Sequence, residues 1–287
     1  MPLFTSPSTF GRRELGLKDA RYAVLGVPYD SSESYRSGSR FAPNAIREAS
    51  REIEDYDLLE DYDLLGIKLC DLGDVEVSFG NFEETSRRIE ETVSGILEAG
   101  VTPLCIGGEH TITYPVLKAY KERPFYLVYD AHMDFREEYL ENRFSHACVT
   151  RRVGELVGYE NILIVGVRSA LKDEFEDIKG LGVKYIDYNS CDGDLAEKIA
   201  QVVKGKDVYL SIDADVFDPK ETAGVCNPEP PGLTFREFVS SLDFLKNVNL
   251  KGVDFVEISP LYDSYAQILA AKAIFKVLLK YEKGHGR

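Results

Sequence analysis

Short runs of β-branched and aromatic residues alternate with amphipathic helical stretches along this chain of 287 residues. This alternation constrains the fold most, because strand–helix–strand units place their strands in parallel in one sheet and their helices on its faces. The predicted strands are residues 22–27, 67–70, 102–106, 125–129, 162–165, 184–186, 208–212 and 252–258. The predicted helices include residues 82–98, 115–121, 195–203, 235–245 and 265–280. The sequence therefore predicts an α/β fold with a parallel sheet.

The series of strands and helices continues without an internal repeat, a low-complexity segment or a Pro/Ser-rich linker. We therefore expect one domain over residues 1–287. In the helix at residues 265–280 the apolar positions follow 3.6-residue spacing, which predicts a surface helix with one packed face. The loops at residues 30–40 and 218–232 are long for this class, and long loops in such domains are usually functional or mobile.

The chain is strongly acidic, with a formal net charge of -15 and a pI near 4.8. Nucleic acids and anionic membrane surfaces attract basic proteins, so the sequence predicts neither as a partner. A small cationic substrate would be attracted by this field. The same surplus of acidic residues is also typical of proteins whose charge only maintains solubility, and both interpretations stay open.

Cysteine usage and the apolar runs bear on the compartment. The five cysteines are scattered and form no CxxC pair, which is typical of a reducing environment. The first sixteen residues, MPLFTSPSTFGRRELG, lack the apolar core of a secretory leader. The longest apolar runs, such as residues 162–167, are too short to cross a bilayer. We therefore expect a cytoplasmic protein with no membrane partner.

Four polar segments each lie at or directly after the end of a predicted strand. They are GGEH at residues 107–110, DAHMD at 130–134, DADVFD at 213–218 and EISP at 257–260. In a parallel sheet, ligands bind in the crevice beyond the carboxyl ends of the strands. The sheet prediction therefore brings all four segments to one edge of the molecule.

The polar residues of three of these segments predict a metal site. Asp130, His132 and Asp134 alternate, so their side chains point the same way from an extended chain. Clustered carboxylates repel one another unless a cation neutralises them, and a ligand set of carboxylate and imidazole suits Mn(II). A single Asp pair at a strand end is more often turn chemistry, but the combination favours two ions that share carboxylates. The six candidate ligands are His110, Asp130, His132, Asp134, Asp213 and Asp215.

At these residues the sequence resembles the arginase/agmatinase (ureohydrolase) family, and agmatinases in particular. The motifs that carry the resemblance are GVPYD, RFAPNAIR, GGEHTIT, DAHMDFREEY, SHACVTRR, SIDADVFDP, NPEPPGLTFRE and EISPLYD, in that order along nearly the whole chain. The resemblance implies a three-layer αβα sandwich on a mainly parallel central sheet, assembled as a homotrimer or homohexamer. It also implies hydrolysis of a guanidinium substrate to urea and an amine by a hydroxide that bridges two Mn(II) ions.

The resemblance also assigns the ligands. It implies that one Mn(II) is held by His110, Asp130, Asp134 and Asp213, and the other by Asp130, His132, Asp213 and Asp215, so that Asp130 and Asp213 bridge the two ions.

Three residues are candidates for the chemistry itself. Asp134 would pass the proton of the attacking hydroxide to the leaving nitrogen, and Glu257 would bind the guanidinium group in fork geometry. His146, which would also contact the substrate, would carry protons between the site and solvent near its ordinary pKa. Glu257 could instead be a structural ion-pair partner, and His146 a surface histidine. The segment at His146 is SHA where relatives more often have SHG.

The substrate is predicted from the charges near the metal loop. Glu137, Glu138 and Glu141 would repel the α-carboxylate of arginine and tolerate an amine, which favours agmatine. Arg136 and Arg143 could supply donors to a carboxylate, so arginine stays open. N1-aminopropylagmatine and guanidinobutyrate stay open too, because Cys226-Asn227 stands where agmatinases more often have a Gly-Thr-like pair.

Three other classes of protein remain as alternatives. A cysteine-dependent guanidine hydrolase would use Cys148 or Cys226 as nucleophile and His146 as base, but it leaves six ligand-type residues without a role. A deacetylase of a related fold would need a tandem histidine pair, and no HH dipeptide occurs in the sequence. A regulatory protein could keep the same scaffold without activity.

Overall fold

A parallel sheet of eight strands forms the centre of the computed structural model, which describes residues 8–286. Residues 1–7 and 287 lie outside the described residues. The start of the segment at residues 1–16 and both ends of the predicted domain fall among them. The strands are β1 (Tyr22–Val27), β2 (Tyr56–Asp57), β3 (Tyr62–Asp63), β4 (Leu69–Asp74), β5 (Thr102–Gly107), β6 (Phe125–Tyr129), β7 (Ile162–Val167), β8 (Lys184–Asp187), β9 (Asp207–Asp213) and β10 (Asn249–Val256). Strands β2 and β3 form a separate antiparallel hairpin.

The order of strands across the large sheet is β4-β1-β5-β10-β9-β6-β7-β8, and neighbouring strands pair in parallel. Central strands are buried on both faces, as the unbroken apolar run of β6 shows. The eight predicted strands correspond to these eight strands, and most of their ends differ by one to a few residues. The predicted parallel sheet is therefore present.

Helices cover both faces of the sheet and make three layers. They are α1 (Ala42–Ser50), α2 (Phe82–Glu98), α3 (Thr113–Lys118), α4 (Val149–Val157), α5 (Lys172–Leu181), α6 (Leu195–Val203), α7 (Phe235–Ser241) and α8 (Ala266–Gly284). One apolar core lies between the sheet and α1, α6, α7 and α8. The other core lies between the opposite face and α2, α3, α4 and α5. Among residues 8–286, no helix has the length and apolar character needed to cross a membrane.

Helix α8 differs from its prediction as a surface helix with one packed face. Most of its residues are buried, and the buried positions lie on nearly all sides of the helix. The helix is buried by tertiary packing, because α1, α7 and the 3-10 segment Leu242–Asn247 pack around it. The predicted helix at 235–245 is split, because α7 ends at Ser241 and continues as that 3-10 segment.

The two long loops that were predicted to be functional or mobile are both held closed by an aspartate at their start. Asp30 accepts from the amide of Gly38 (3.1 Å) and pairs with Arg40 (Nε–Oδ1, 2.5 Å). Asp218 accepts from the amide of Gly232 (3.0 Å) across the second loop. These contacts fix both loops over the carboxyl edge of the sheet.

Candidate metal centre

Four neighbouring strands deliver the polar segments to one edge. Strands β5, β10, β9 and β6 lie side by side, and the segments that begin at Gly107, Glu257, Asp213 and Asp130 leave their carboxyl ends. The convergence predicted from the sequence is thus a consequence of the strand order. Two residues there, Asp134 (φ 48°) and Glu257 (φ 65°), have left-handed backbones that side chains other than glycine rarely adopt.

His110 is fully buried and faces three carboxylates with one ring nitrogen. Its Nδ1 lies 3.3 Å from Asp130 Oδ2, 3.3 Å from Asp134 Oδ2 and 3.1 Å from Asp213 Oδ2. Neither His110 Nδ1 nor Asp130 Oδ2 has a hydrogen-bond partner of acceptable geometry among the described residues. Buried polar atoms without partners are rare in folded proteins and call for a missing group.

The other nitrogen of His110 shows which one carries the proton. Ser211 donates its hydroxyl proton to Asp254 Oδ1 (2.5 Å), so its oxygen can only accept from His110 Nε2 at 3.1 Å. In the neutral ring the proton is therefore on Nε2, and the lone pair of Nδ1 points at the three carboxylates. Burial opposes a second proton, but Tyr126 and the three carboxylates raise the pKa of His110 well above its ordinary value, so a proton competes with a cation for Nδ1. A lone pair among anions is repulsive unless a cation lies between them, so this arrangement fits a metal ion.

The second imidazole lies beside a second pair of carboxylates. His132 Nδ1 is 2.8 Å from Asp215 Oδ2 and 3.8 Å from Asp130 Oδ1. Backbone amides fix these carboxylates: Ala131 N donates to Asp215 Oδ1 (3.0 Å), and His132 N donates to Asp130 Oδ1 (2.6 Å). The carboxylates are thus oriented by the main chain before any ion binds.

The ligand atoms form two sets, in each of which they lie within 4.8 Å of one another. The first set is His110, Asp130, Asp134 and Asp213, and the second is Asp130, His132 and Asp215. Asp130 belongs to both, as expected of a bridging ligand. Asp213 belongs only to the first, so its bridging role stays a prediction.

The pKa values show how unfavourable this cluster of anions is by itself. Burial, followed by the charges of Asp134 and Asp215, raises the pKa of Asp130 to about 7. Burial and the charges of Asp215 and Asp130 raise the pKa of Asp213 well above its ordinary value. Burial would lower the pKa of His132, but Asp215 outweighs it and raises that pKa to about 11. Protons thus compensate the clustered anions, and divalent cations would replace those protons on binding.

Glu257 is buried beside the first set. Its Oε1 accepts from the amide of His110 (2.6 Å), and its Oε2 has no hydrogen-bond partner among the described residues. Burial, followed by the charges of Asp213 and Glu33, raises the pKa of Glu257 well above its ordinary value. A buried carboxylate oxygen without a partner suits a cationic donor from a ligand.

His146 is also buried rather than on the surface. Its ring packs edge-on against Tyr139, with the ring centroids 5.9 Å apart, and its Nδ1 lies 3.2 Å from Ser32 Oγ. Burial lowers the pKa of His146, and the charge of Asp134 opposes this shift.

A cavity of about 320 Å³ opens above these residues. Of the predicted site residues, those that line it are His132, Asp134, His146, Asp213, Asp215 and Glu257. His110 and Asp130 are buried beneath it. The loop that contains Ser34 and the loop that contains Glu229 complete its walls.

Glu137, Glu138 and Glu141, which were expected to repel a substrate carboxylate, are not among the residues that line the cavity. Glu137 points instead to Arg143, whose Nη2 lies 3.0 Å from its Oε1. The acidic wall residues other than the candidate ligands and Glu257 are Glu174 and Glu229. Any repulsion of a substrate carboxylate by acidic wall residues would therefore come from these two.

A sequence model of the arginase family matches residues 20–280. The chain belongs to the arginase family. Agmatinase from Bacillus anthracis is 36% identical to it over 97% of this chain and 98% of the relative. N(1)-aminopropylagmatine ureohydrolase from Thermococcus kodakarensis is 35% identical over 89% of each chain. The crystal structure of agmatine ureohydrolase of Thermoplasma volcanium is similar with a TM-score of 0.91 and 34% identity, covering 99% of this chain and 97% of that one.

Membership of the arginase family confirms the predicted ureohydrolase resemblance and the predicted enzyme class, a hydrolase of C–N bonds. The structural similarity confirms the predicted fold, a parallel sheet between two layers of helices. The arginase family has two-metal centres, and the residues described above form a metal-binding cluster.

Several residues that support the arginase-family site were not assigned from the sequence. Asp254 and Ser211 orient His110, and Asp254 could have been suspected because a carboxylate interrupts an apolar strand. Arg168 follows β7 at the same edge; it donates to the carbonyls of Asp215 (2.6 Å) and Glu229 (2.8 Å) and so joins the metal loop to the cavity wall. Sequence position alone does not reveal such contacts.

Proposed function

We propose that the chain hydrolyses agmatine to putrescine and urea with two Mn(II) ions per chain. One observation carries the proposal: Asp130 belongs to two adjacent ligand sets, and the unpartnered Glu257 Oε2 lies beside the first of them. A two-ion site next to a buried carboxylate matches a water-activating centre next to a guanidinium-binding group. The ligands in this proposal are His110, Asp130, His132, Asp134, Asp213 and Asp215.

When bound, the two cations would act as Lewis acids and lower the pKa of water toward neutrality. The chain supplies the other requirements. Glu257 Oε2 accepts hydrogen bonds from the guanidinium group and holds its carbon toward the ligand sets. Asp134, at the cavity wall, takes the proton that water loses as the new C–O bond forms, and gives it to the nitrogen whose C–N bond breaks. His146 then exchanges protons between this nitrogen and solvent.

The cavity wall supports a substrate with a distal amine. Glu229 is part of that wall, its side chain is 37% exposed, and it can accept from an ammonium group. Glu174 accepts from the amides of Phe135 (3.0 Å) and Leu171 (2.8 Å), so it has a structural role. Arg136 packs over the ring of Tyr139, 4.8 Å from its centroid. A substrate carboxylate beside Glu229 would be repelled, which favours agmatine over arginine or guanidinobutyrate.

N1-aminopropylagmatine is the second candidate substrate. A relative named for this activity is 35% identical to the chain, and the additional amine would meet the same acidic wall. Both candidates are small cationic guanidines, in keeping with the net charge of -15.

We also propose a homotrimer or homohexamer in the cytoplasm, on the basis of the family resemblance. Sedimentation velocity measures the assembly directly, and a monomer at micromolar concentration would contradict this part of the proposal.

Urea release tests the function. The metal-stripped protein is assayed with Mn(II) and with agmatine, N1-aminopropylagmatine, arginine and guanidinobutyrate in parallel. We expect agmatine to give the highest kcat/KM and EDTA to abolish the activity. Thiol alkylation should leave the activity intact, which separates this proposal from a cysteine hydrolase. Absence of urea from every guanidine would contradict it and favour a regulatory protein on the same scaffold.

A further inference from the structure

Two side chains, Ser32 and Glu109, form a hydrogen-bonded chain behind His146. Ser32 Oγ lies 3.2 Å from His146 Nδ1 and also accepts from the backbone amide of His146 (2.9 Å). On the other side, Ser32 donates to Glu109 twice, from its hydroxyl (to Oε1, 2.8 Å) and from its amide (to Oε2, 2.6 Å). Glu109 is fully buried. Neither Ser32 nor Glu109 has a role in the proposed chemistry.

The hydrogen bonds decide which nitrogen of His146 carries the proton. A serine hydroxyl has one proton, and a carboxylate can only accept, so the proton of Ser32 points to Glu109. The oxygen of Ser32 is then an acceptor toward His146, and the contact at Nδ1 requires a proton on Nδ1. Ser145 Oγ, 3.3 Å from the same nitrogen, can accept that proton or donate its own, so the contact with Ser32 carries the assignment.

We propose that Ser32 and Glu109 are positioning residues that hold His146 in the tautomer with the proton on Nδ1, so that the Nε2 lone pair serves the cavity. This inference rests on the proposed function for the role of His146, but the tautomer itself follows from the hydrogen bonds. The nitrogen left for proton exchange in the cavity is an acceptor in the resting site, and it needs no rotation of the ring to act.

Alkaline solution suits the test. Burial lowers the pKa of His146, so the ring is neutral there. Both oxygens of Glu109 accept from Ser32, one from its amide and one from its hydroxyl, which is the arrangement of an ionised carboxylate.

The substitution Glu109→Gln should reverse the direction of the hydrogen bonds that link residue 109, Ser32 and His146. In Glu109→Gln the carbonyl must face the amide of Ser32, which puts the side-chain NH2 group against Ser32 Oγ. Ser32 then accepts from Gln and frees its own proton for His146 Nδ1. The His146 tautomer should therefore change to the one protonated at Nε2, with almost no change in side-chain volume.

Nuclear magnetic resonance of 15N-labelled histidine measures the tautomer directly, and the chain has only four histidines. The full chain is loaded with diamagnetic Zn(II), studied at about pH 9, and the His146 signals are assigned from their loss in His146→Gln. We expect the Nδ1–H tautomer in the wild type and in Ser32→Thr, which keeps the hydroxyl. We expect the Nε2–H tautomer in Glu109→Gln and a mixture in Ser32→Ala.

Kinetics supply the second measurement. Ser32→Ala should lower kcat roughly tenfold with less than about a twofold change in KM, the size of effect typical of residues that orient a functional histidine. Ser31→Ala, which removes a hydroxyl from the same loop next to Ser32, is the matched control and should keep wild-type rates. Ser32→Thr should restore most of the rate.

The wild-type ring protonated at Nε2, or the same tautomer in the wild type and Glu109→Gln, would overturn the inference. The spectra need no turnover, so they separate it from the proposed function. The predicted tautomers together with no urea release would leave the inference standing and contradict the function alone.

Discussion

At the scale of single residues, the site combines backbone strain with unfavourable charge. Asp134 and Glu257 both have positive φ, and each such residue costs about 1–3 kcal/mol. Glu257 is also buried among like charges, which raises its pKa. Neither feature stabilises the fold, and both agree with the roles proposed for these two carboxylates in proton transfer and substrate binding.

Glu257→Gln tests that explanation. Loss of the charge should lower kcat/KM for agmatine at least about 30-fold, equivalent to about 2 kcal/mol, mainly through KM. The melting temperature should stay the same or rise, because the variant removes a buried charge that Asp213 repels. Glu138→Gln, on the exposed side of the loop, is the control and should match the wild type. A stability loss with unchanged kcat/KM would show that Glu257 is a structural residue.

The cysteines allow a second prediction at this scale. Cys148 and Cys226 are fully buried. Burial raises the pKa of Cys148 to about 11, and burial with the charge of Glu257 raises that of Cys226 well above its ordinary value. Since thiolates are the reactive form, we expect native protein to resist iodoacetamide and to keep its urea release. Mass spectrometry locates the label. Rapid alkylation of either residue with parallel loss of activity would favour the cysteine mechanism.

At the scale of elements, the strands were predictable and the helix environments less so. Strands β1 and β6 agree with prediction at both ends, because each is a continuous apolar run bounded by a charged residue on one side and a proline on the other. The burial of α8 was not predictable, because it depends on distant helices that pack around it. Ser32 lies in a loop without periodicity, so its contact with His146 is visible only in three dimensions.

The β2–β3 hairpin supplies a prediction about pH. Asp57 pairs with Lys276 (2.5 Å) and Glu60 with Lys280 (2.8 Å), both on α8. Burial opposes ionisation, but these lysines outweigh it and lower the pKa of both carboxyl groups. The pKa of each carboxyl group is thus lower in the folded than in the unfolded protein, so its ionisation stabilises the fold at pH values above the unfolded pKa, near 4. This stabilisation is lost as the pH falls through the folded pKa.

Amide exchange of residues 56–63 should therefore accelerate below about pH 4 in the wild type, after correction for intrinsic exchange. In the double variant Asp57→Asn, Glu60→Gln the hairpin should be less protected at neutral pH, by about 1 kcal/mol, and nearly independent of pH. The exposed pair of Asp192 and Lys198 provides the control, and Asp192→Asn should leave the hairpin unchanged. Equal acid sensitivity in the wild type and the double variant would contradict this account.

At the scale of the whole molecule, four adjacent strands bring the ligands to one edge, and two closed loops form a cavity above them. The sequence was sufficient to predict the edge and its six candidate ligands, since they follow strands at fixed spacing. It was not sufficient to predict the walls: Glu137, Glu138 and Glu141 were expected there, and Glu229 takes that place. Loop conformation, which leaves little trace in periodicity, decides which acidic residues face a substrate.

The net charge of -15 predicts electrostatic attraction of a cationic substrate. We expect kcat/KM for agmatine, which carries two positive charges, to fall as salt is raised from about 0.01 M to 1 M, because the Debye length shrinks from about 30 Å to 3 Å. Zwitterionic guanidinobutyrate, measured as a substrate or competitive inhibitor, should show a shallower dependence. Equal salt dependence of the two compounds would show that the field of the molecule does not act on the substrate.

The proposed function requires that six side chains hold two divalent cations during guanidine hydrolysis. The most direct measurement titrates the metal-stripped protein with Mn(II) and follows bound metal and urea release together. We expect saturation at two ions per chain, with full activity only after the second ion binds. In Asp130→Asn we expect saturation below two ions, because Asp130 belongs to both ligand sets. Full activity without bound metal, or two ions retained by Asp130→Asn with wild-type affinity, would contradict it.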